Sequence, residues 1–136
     1  MGLDMFLFRR KNSDTKSEAF TEVGFWRKAN HIHNWFVVNC QDGVDECQET
    51  EISKENLEEL LSICKKVLNP TGSSLPQIAR ESIAEEFLPT VAGFFFGGTD
   101  YDQYYYDDVS ETIDIIEKAL AETDFDNESI YYSSSW

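Results

Sequence analysis

Short strand-like segments stand near both ends of this chain, and helical periodicity fills the middle. Leu3-Asp4-Met5-Phe6-Leu7-Phe8 is apolar on both alternating faces apart from Asp4, and it stops at Arg9-Arg10-Lys11. Such a segment reads as a strand covered on both sides. Phe20 to Arg27 alternates loosely and reads as a second strand pairing with the first. In Ile130-Tyr131-Tyr132-Ser133-Ser134-Ser135-Trp136, alternate residues Ile130, Tyr132, Ser134 and Trp136 share one face of a third strand. Terminal segments of small domains stay ordered only when tied down, so the first and last strands are expected in one sheet.

Between them, Ile32, Trp35, Phe36 and Cys40 recur at i, i+3, i+4 and i+8, a buried helical stripe with Asn30 as its expected cap. Gly43 suits a left-handed exit from it. Residues 44–52 read as an acidic loop. Ser53 is an expected N-cap, with Ile52 and Leu57 as a hydrophobic staple, for a helix whose core face is Leu57, Leu60, Leu61, Cys64 and Leu68. A shorter helix is expected from Leu75 to Glu86, with Pro76 in its first turn and Ile78, Ser82 and Ile83 inward. Gly93 to Gly98 reads as a short buried strand or packed loop. Val109, Ile113, Ile116 and Leu120 mark a last amphipathic helix. The sum is one α+β domain over residues 1–136, a small antiparallel sheet of about three strands packed against three or four helices.

Charge is polarised along the chain. Residues 1–40 hold six basic against four acidic side chains, whereas residues 98–136 hold eleven acids and one base, Lys118, within a total of −15. A field this negative repels nucleic acid and anionic membrane and attracts basic surfaces. The ten Phe, six Tyr and three Trp argue against disorder. No apolar run is long enough for a transmembrane helix. The opening Met-Gly-Leu-Asp-Met-Phe has neither a signal-peptide pattern nor a good myristoylation pattern. Three cysteines without a C-x-x-C pair suit a reducing cytoplasm.

Three stretches carry a resemblance: Gly24 to Phe36 (GFWRKANHIHNWF), Gly93 to Asp102 (GFFFGGTDYD) and Ile130 to Trp136 (IYYSSSW). With the opening MGLDM they resemble a family of small uncharacterised proteins encoded by bacteriophages and prophages. The resemblance spans most of the chain. It implies a phage accessory context inside a bacterial host cell, and no activity, cofactor or site residue.

Two groups of residues carry candidate chemistry. Trp26, Arg27, Lys28, Asn30, His31, His33 and Asn34 bring bases, histidines, amides and aromatics to a strand-to-helix junction. A helix start there favours an anion, and either histidine is a candidate base near neutral pH. The competing reading makes Asn30 a cap, the tryptophans core and the histidines surface. His31 and His33 diverge on a helix, so no metal site is expected from them, and no cofactor motif is present. Asp124, Asp126 and Glu128 depart from the EF-hand pattern and read as a solvated acidic turn. The second group is Asp100, Tyr101, Asp102, Tyr105, Asp107 and Asp108, where tyrosines beside carboxylates form a recognition composition. The bland alternative packs Tyr104 to Tyr106 under the last helix.

The preferred expectation is a non-enzymatic acidic module that binds a basic host or phage protein, such as a nucleic-acid-binding one, through residues 99–128, and blocks or adapts it. The alternative is a small-ligand or nucleotide-binding domain, or a small enzyme, with a polar pocket from Trp26 to Asn34 closed by Gly97, Gly98 and the tyrosine-acid segment.

Overall fold

A computed structural model describes residues 2–12, 20–68, 76–93 and 96–136. In chain order it contains β1 (Asp4–Lys11), β2 (Thr21–Arg27), α1 (Asn30–Cys40), β3 (Thr50–Ile52), α2 (Lys54–Leu68), α3 (Gln77–Phe87), α4 (Gln103–Glu122) and β4 (Glu128–Ser135). The strands form one four-stranded antiparallel sheet in the order β2-β1-β4-β3. The fold class is therefore α+β, with one strand more than expected.

The two ends of the chain make the centre of the sheet. Asp4 pairs with Ser135, and the register continues to Lys11 opposite Glu128. Leu3, Met5 and Leu7 point to one face, where they are buried with Trp26, Ile52, Ile130 and Tyr132 beneath the helices. Phe36 of α1 stacks on Tyr132 with ring centroids 4.0 Å apart. Gly24 lets α4 approach β2 closely, since a Cβ there would lie 2.4 Å from Ile115 Cγ2.

The other face of the sheet is covered differently from the expectation of a strand enclosed on both sides. Phe6 meets Phe25 at 5.4 Å, and Phe8 lies between Phe20 and Tyr131 at 5.3 and 5.7 Å. Arg10 lies over Phe8 and Tyr131 and pairs with Glu49. This aromatic layer buries Phe8 while leaving Phe20 and Phe25 exposed.

β3 is the added strand, in the segment read as an acidic loop. Its three residues pair with Ile130, Tyr131 and Tyr132, and of the three Ile52 is the buried one. An alternation of three residues is too brief to register as a strand pattern. The Ser53 cap is present as a reciprocal arrangement: the Asn56 N–H donates to Ser53 Oγ at 3.0 Å, and the Ser53 hydroxyl donates to Asn56 Oδ1 at 2.7 Å. Pro76 is the N-cap of α3 rather than a first-turn residue, and Ile78 is 82% exposed rather than inward. Ala84 and Leu88 are the buried residues there. Leu75 lies outside the described residues. Among the described residues no helix is long and apolar enough to cross a membrane.

Candidate functional site

The site begins where β2 ends. After Arg27, Lys28 takes a left-handed backbone (φ 57°) while its N–H donates to the Leu3 carbonyl at 2.7 Å. That turn starts α1 at Asn30 with Ala29 as the N-cap. Asn30 is thus not the cap expected from the sequence. Its side chain is used across the fold: Nδ2 donates to the carbonyls of Phe96 at 3.0 Å and Gly98 at 2.8 Å, and Oδ1 accepts from the Val91 N–H at 2.9 Å. One buried amide therefore ties Val91, Phe96 and Gly98 to α1. Gly97 (φ 88°) lies so close that a Cβ would be 3.1 Å from the Lys28 carbonyl oxygen. Two left-handed residues in contact at one place are unusual, and such backbone persists where surrounding structure imposes it.

The start of α4 closes the opposite wall. Asp102 is its N-cap and accepts from the Tyr105 N–H at 3.1 Å. The Tyr105 hydroxyl donates to the Leu88 carbonyl at 2.7 Å, while Thr90 donates to the Thr99 carbonyl and, through its N–H, to Tyr101. Between these walls is an open cleft of about 440 Å³. Arg27, Lys28, Asn30 and His31 form one side, Gly97, Gly98 and Thr90 the base of the loop, and Asp100, Asp102, Asp107 and Asp108 the acidic side, with Tyr104 and Tyr105 between them.

The electrostatics of the cleft are two-signed. Arg27 leans toward Asp4 at 3.5 Å. Among the described residues neither Lys28 nor Asp100 nor the Asp108 carboxylate forms an ion pair, although all line one cleft. Partial burial, then Glu111, Asp107 and Asp102, push the Asp108 carboxyl up to about 6. His31 is 3% exposed and stacks on the Tyr105 ring at 4.2 Å. Burial drives its pKa down to about 3, against smaller opposing effects of the Tyr105 backbone and Asp102, so the ring is neutral. Its Nε2 is buried without a partner.

The seven residues proposed for a pocket at the strand-to-helix junction thus divide. Arg27, Lys28, Asn30 and His31 line the cleft. Trp26 does not: it is core, and its Nε1–H donates to Thr112 Oγ1 at 2.8 Å. Asn34 does not line the cleft but, together with His31 one turn before it, a separate cavity of about 210 Å³ beside Trp35, Val38 and Phe87. His33 is buried on the far side of α1, with Nδ1 2.6 Å from the Tyr132 hydroxyl and Nε2 3.0 Å from Asp45. Asp45 also accepts from Trp136 Nε1 at 3.1 Å. This group ties α1, the 41–49 loop and β4 together. Tyr132 is fully buried, so it offers no surface to a substrate.

The acidic candidates divide as well. Asp100, Asp102 and Asp107 are exposed, and Asp108 and Tyr101 are half-buried. Tyr105 is buried and hydrogen-bonded, which removes it from any partner surface. Tyr104, absent from the candidate set, is 80% exposed at the cleft mouth. Its exposure was readable: stepping back from Val109 by three and four residues reaches Tyr106 and Tyr105, so Tyr104 falls off the buried face. Asp124 and Glu128 are engaged within their own turn, where the N–H groups of Asp126 and Asp124 donate to Asp124 Oδ1 and Glu128 Oε1, and Glu128 also pairs with Arg9 at 3.1 Å.

Comparison with family models, with curated proteins and with solved structures finds no match. The cleft's chemistry is therefore read from its own residues.

Proposed function

We propose that this protein is a non-enzymatic interaction module that binds a basic protein partner through the acidic surface of residues 99–128. The observation that supports this most is the crowding of carboxylates at the start of α4. Asp102, Asp107, Asp108 and Glu111 stand together, and the Asp108 proton is held to about 6 by partial burial and these neighbours. A cationic side chain of a partner relieves that repulsion. Tyr104 supplies exposed apolar area beside the charges, the combination that protein interfaces use. Along the rest of α4, Lys65 of α2 approaches Glu117 at only 3.8 Å, which leaves the acidic face largely unneutralised.

The resemblance to phage and prophage proteins supplies the context: a host or phage protein with a basic surface, bound and blocked or adapted in the bacterial cytoplasm. Nucleic acid itself is a poor ligand for this field, whereas a nucleic-acid-binding protein is a suitable target. Affinity capture from bacterial lysate, run in parallel with the wild type and the Asp107→Lys/Asp108→Lys double variant, tests this. A basic protein retained by the wild type and lost by the folded variant is expected. The same proteins on both would refute it.

The second reading, a small-ligand site, draws support from the cleft itself, where Lys28, Asn30 and His31 meet Asp100, Asp108 and Gly97 in a volume suited to a small molecule.

A further inference from the structure

The cleft has a property that an acidic docking face does not require. Unpaired cationic and anionic side chains line one concavity without neutralising each other: Lys28 on the α1 side, Asp100 and Asp108 on the α4 side. Lys28 is held there by a left-handed backbone against Gly97, a conformation that a lysine adopts only when the surrounding structure imposes it. His31, more than nine-tenths buried, lines both this cleft and the smaller cavity beside Asn34, and its Nε2 is unpartnered. A buried polar atom without a partner is costly and rare. A neutral imidazole has one nitrogen without a proton, and in the Nδ1–H tautomer that acceptor is Nε2. It therefore suits an N–H donor from a bound molecule. The volume of about 440 Å³ lies in the range of small-ligand sites.

We propose that this cleft binds a zwitterionic ligand, with a carboxylate against Lys28 and a basic group against Asp100 and Asp108, its N–H groups reaching His31. The chemistry is that of a basic amino acid, available either as the free amino acid or as the last residue of a peptide. The proposal goes beyond an acidic docking face and does not rest on it, because a partner drawn to the carboxylates has no need of Lys28.

Titration of isotope-labelled protein followed by amide chemical shifts tests it with four probes: L-arginine, agmatine (the same molecule without the carboxylate), a short peptide ending in arginine, and that peptide amidated at its C-terminus. Shifts are expected at residues 27–31 and 97–108. L-arginine or the free-acid peptide should bind about tenfold more tightly than its carboxylate-free counterpart, the loss expected for one charge-assisted hydrogen bond. Which of the two binds better distinguishes the free amino acid from a peptide terminus. Lys28→Asn removes the charge while tolerating the left-handed backbone, so the fold should be kept, as its melting curve will verify. It should abolish the preference for the carboxylate without weakening agmatine, a dication that Lys28 repels. Absence of cleft shifts at millimolar ligand, or equal binding of L-arginine and agmatine together with equal binding of the two peptides, would overturn the proposal. So would a folded Lys28→Asn protein that keeps the preference. None of these outcomes bears on capture of a partner by Asp107 and Asp108, so the two readings fail separately.

Discussion

At the scale of single residues, the histidines show how little composition says about role. His31 and His33 are two positions apart and both buried, yet one lines a cleft and the other braces Tyr132 and Asp45. Their divergence follows from helix geometry and was legible; their burial was not, because the pattern Ile32, Trp35, Phe36 marks only part of what α1 covers. His31 gives a pH signature. Its folded pKa of about 3 lies below the unfolded 6.5, so the unfolded state takes up the proton first as pH falls. Its contribution to stability is whole above about pH 6.5 and is lost below it, at up to about 1.4 kcal/mol per pH unit. Asp108 acts in the opposite direction between 3.8 and about 6, where its raised pKa costs stability as pH rises. The difference between wild type and His31→Phe isolates the histidine: urea unfolding at pH 7 and pH 5 should show a smaller loss in the variant. Equal losses would mean His31 is protonated in the folded protein. Asn30 makes a second residue-scale test. Asn30→Ala removes three hydrogen bonds that hold Val91 and the loop at 96–98, so urea unfolding should show a loss of about 2–3 kcal/mol. A loss under about 0.5 kcal/mol would show that the loop is held by other contacts.

At the scale of elements, periodicity found every long helix and all three longer strands. The Ile52–Leu57 spacing and the Ser53 cap located the start of α2, and Ser53 and Asn56 satisfy that helix end as expected. Periodicity was blind where an element is short or its signal is carried by a partner. β3 exists because β4 offers a free edge to Thr50–Ile52, which no local pattern records. The tyrosine segment before Val109 belongs to α4, whose first turns bury Tyr105 and Tyr106 rather than displaying them. Gly97 and Gly98 are expected opposite the Trp26–Asn34 segment, but no local pattern records the Asn30 bonds to Phe96 and Gly98, sixty-six and sixty-eight positions away, that hold them there. β4 is central, paired with β1 on one side and β3 on the other. Deleting residues 130–136 therefore removes Ile130 and Tyr132 from the core and both neighbours' hydrogen bonds. Circular dichroism of the truncated chain should show no cooperative thermal transition. A transition only a few degrees below that of the full chain would mean that the sheet does not depend on this strand.

At the scale of the whole molecule, the sheet and the helices divide the charge. The cations of the first forty residues are partly spent on local pairs, Arg9 with Glu128, Arg10 with Glu49 and Arg27 with Asp4. α4 and its flanks keep most of their negative charge facing outward. The polarised pattern in the sequence therefore survives folding as a surface property, and the cleft lies where the cationic strand-to-helix junction meets Gly97, Gly98 and the tyrosine-acid segment. An interface of this kind draws its partner in at long range, over a Debye length of about 8 Å at physiological ionic strength. The central claim is tested most directly by the association rate of a captured partner with wild type and with Asp107→Lys/Asp108→Lys, measured at low and high salt. The account predicts that wild-type association is fast at low salt and slows as salt rises, and that the double variant associates slowly at both, with a smaller change in dissociation. Association rates that are the same for both proteins and independent of salt would contradict it.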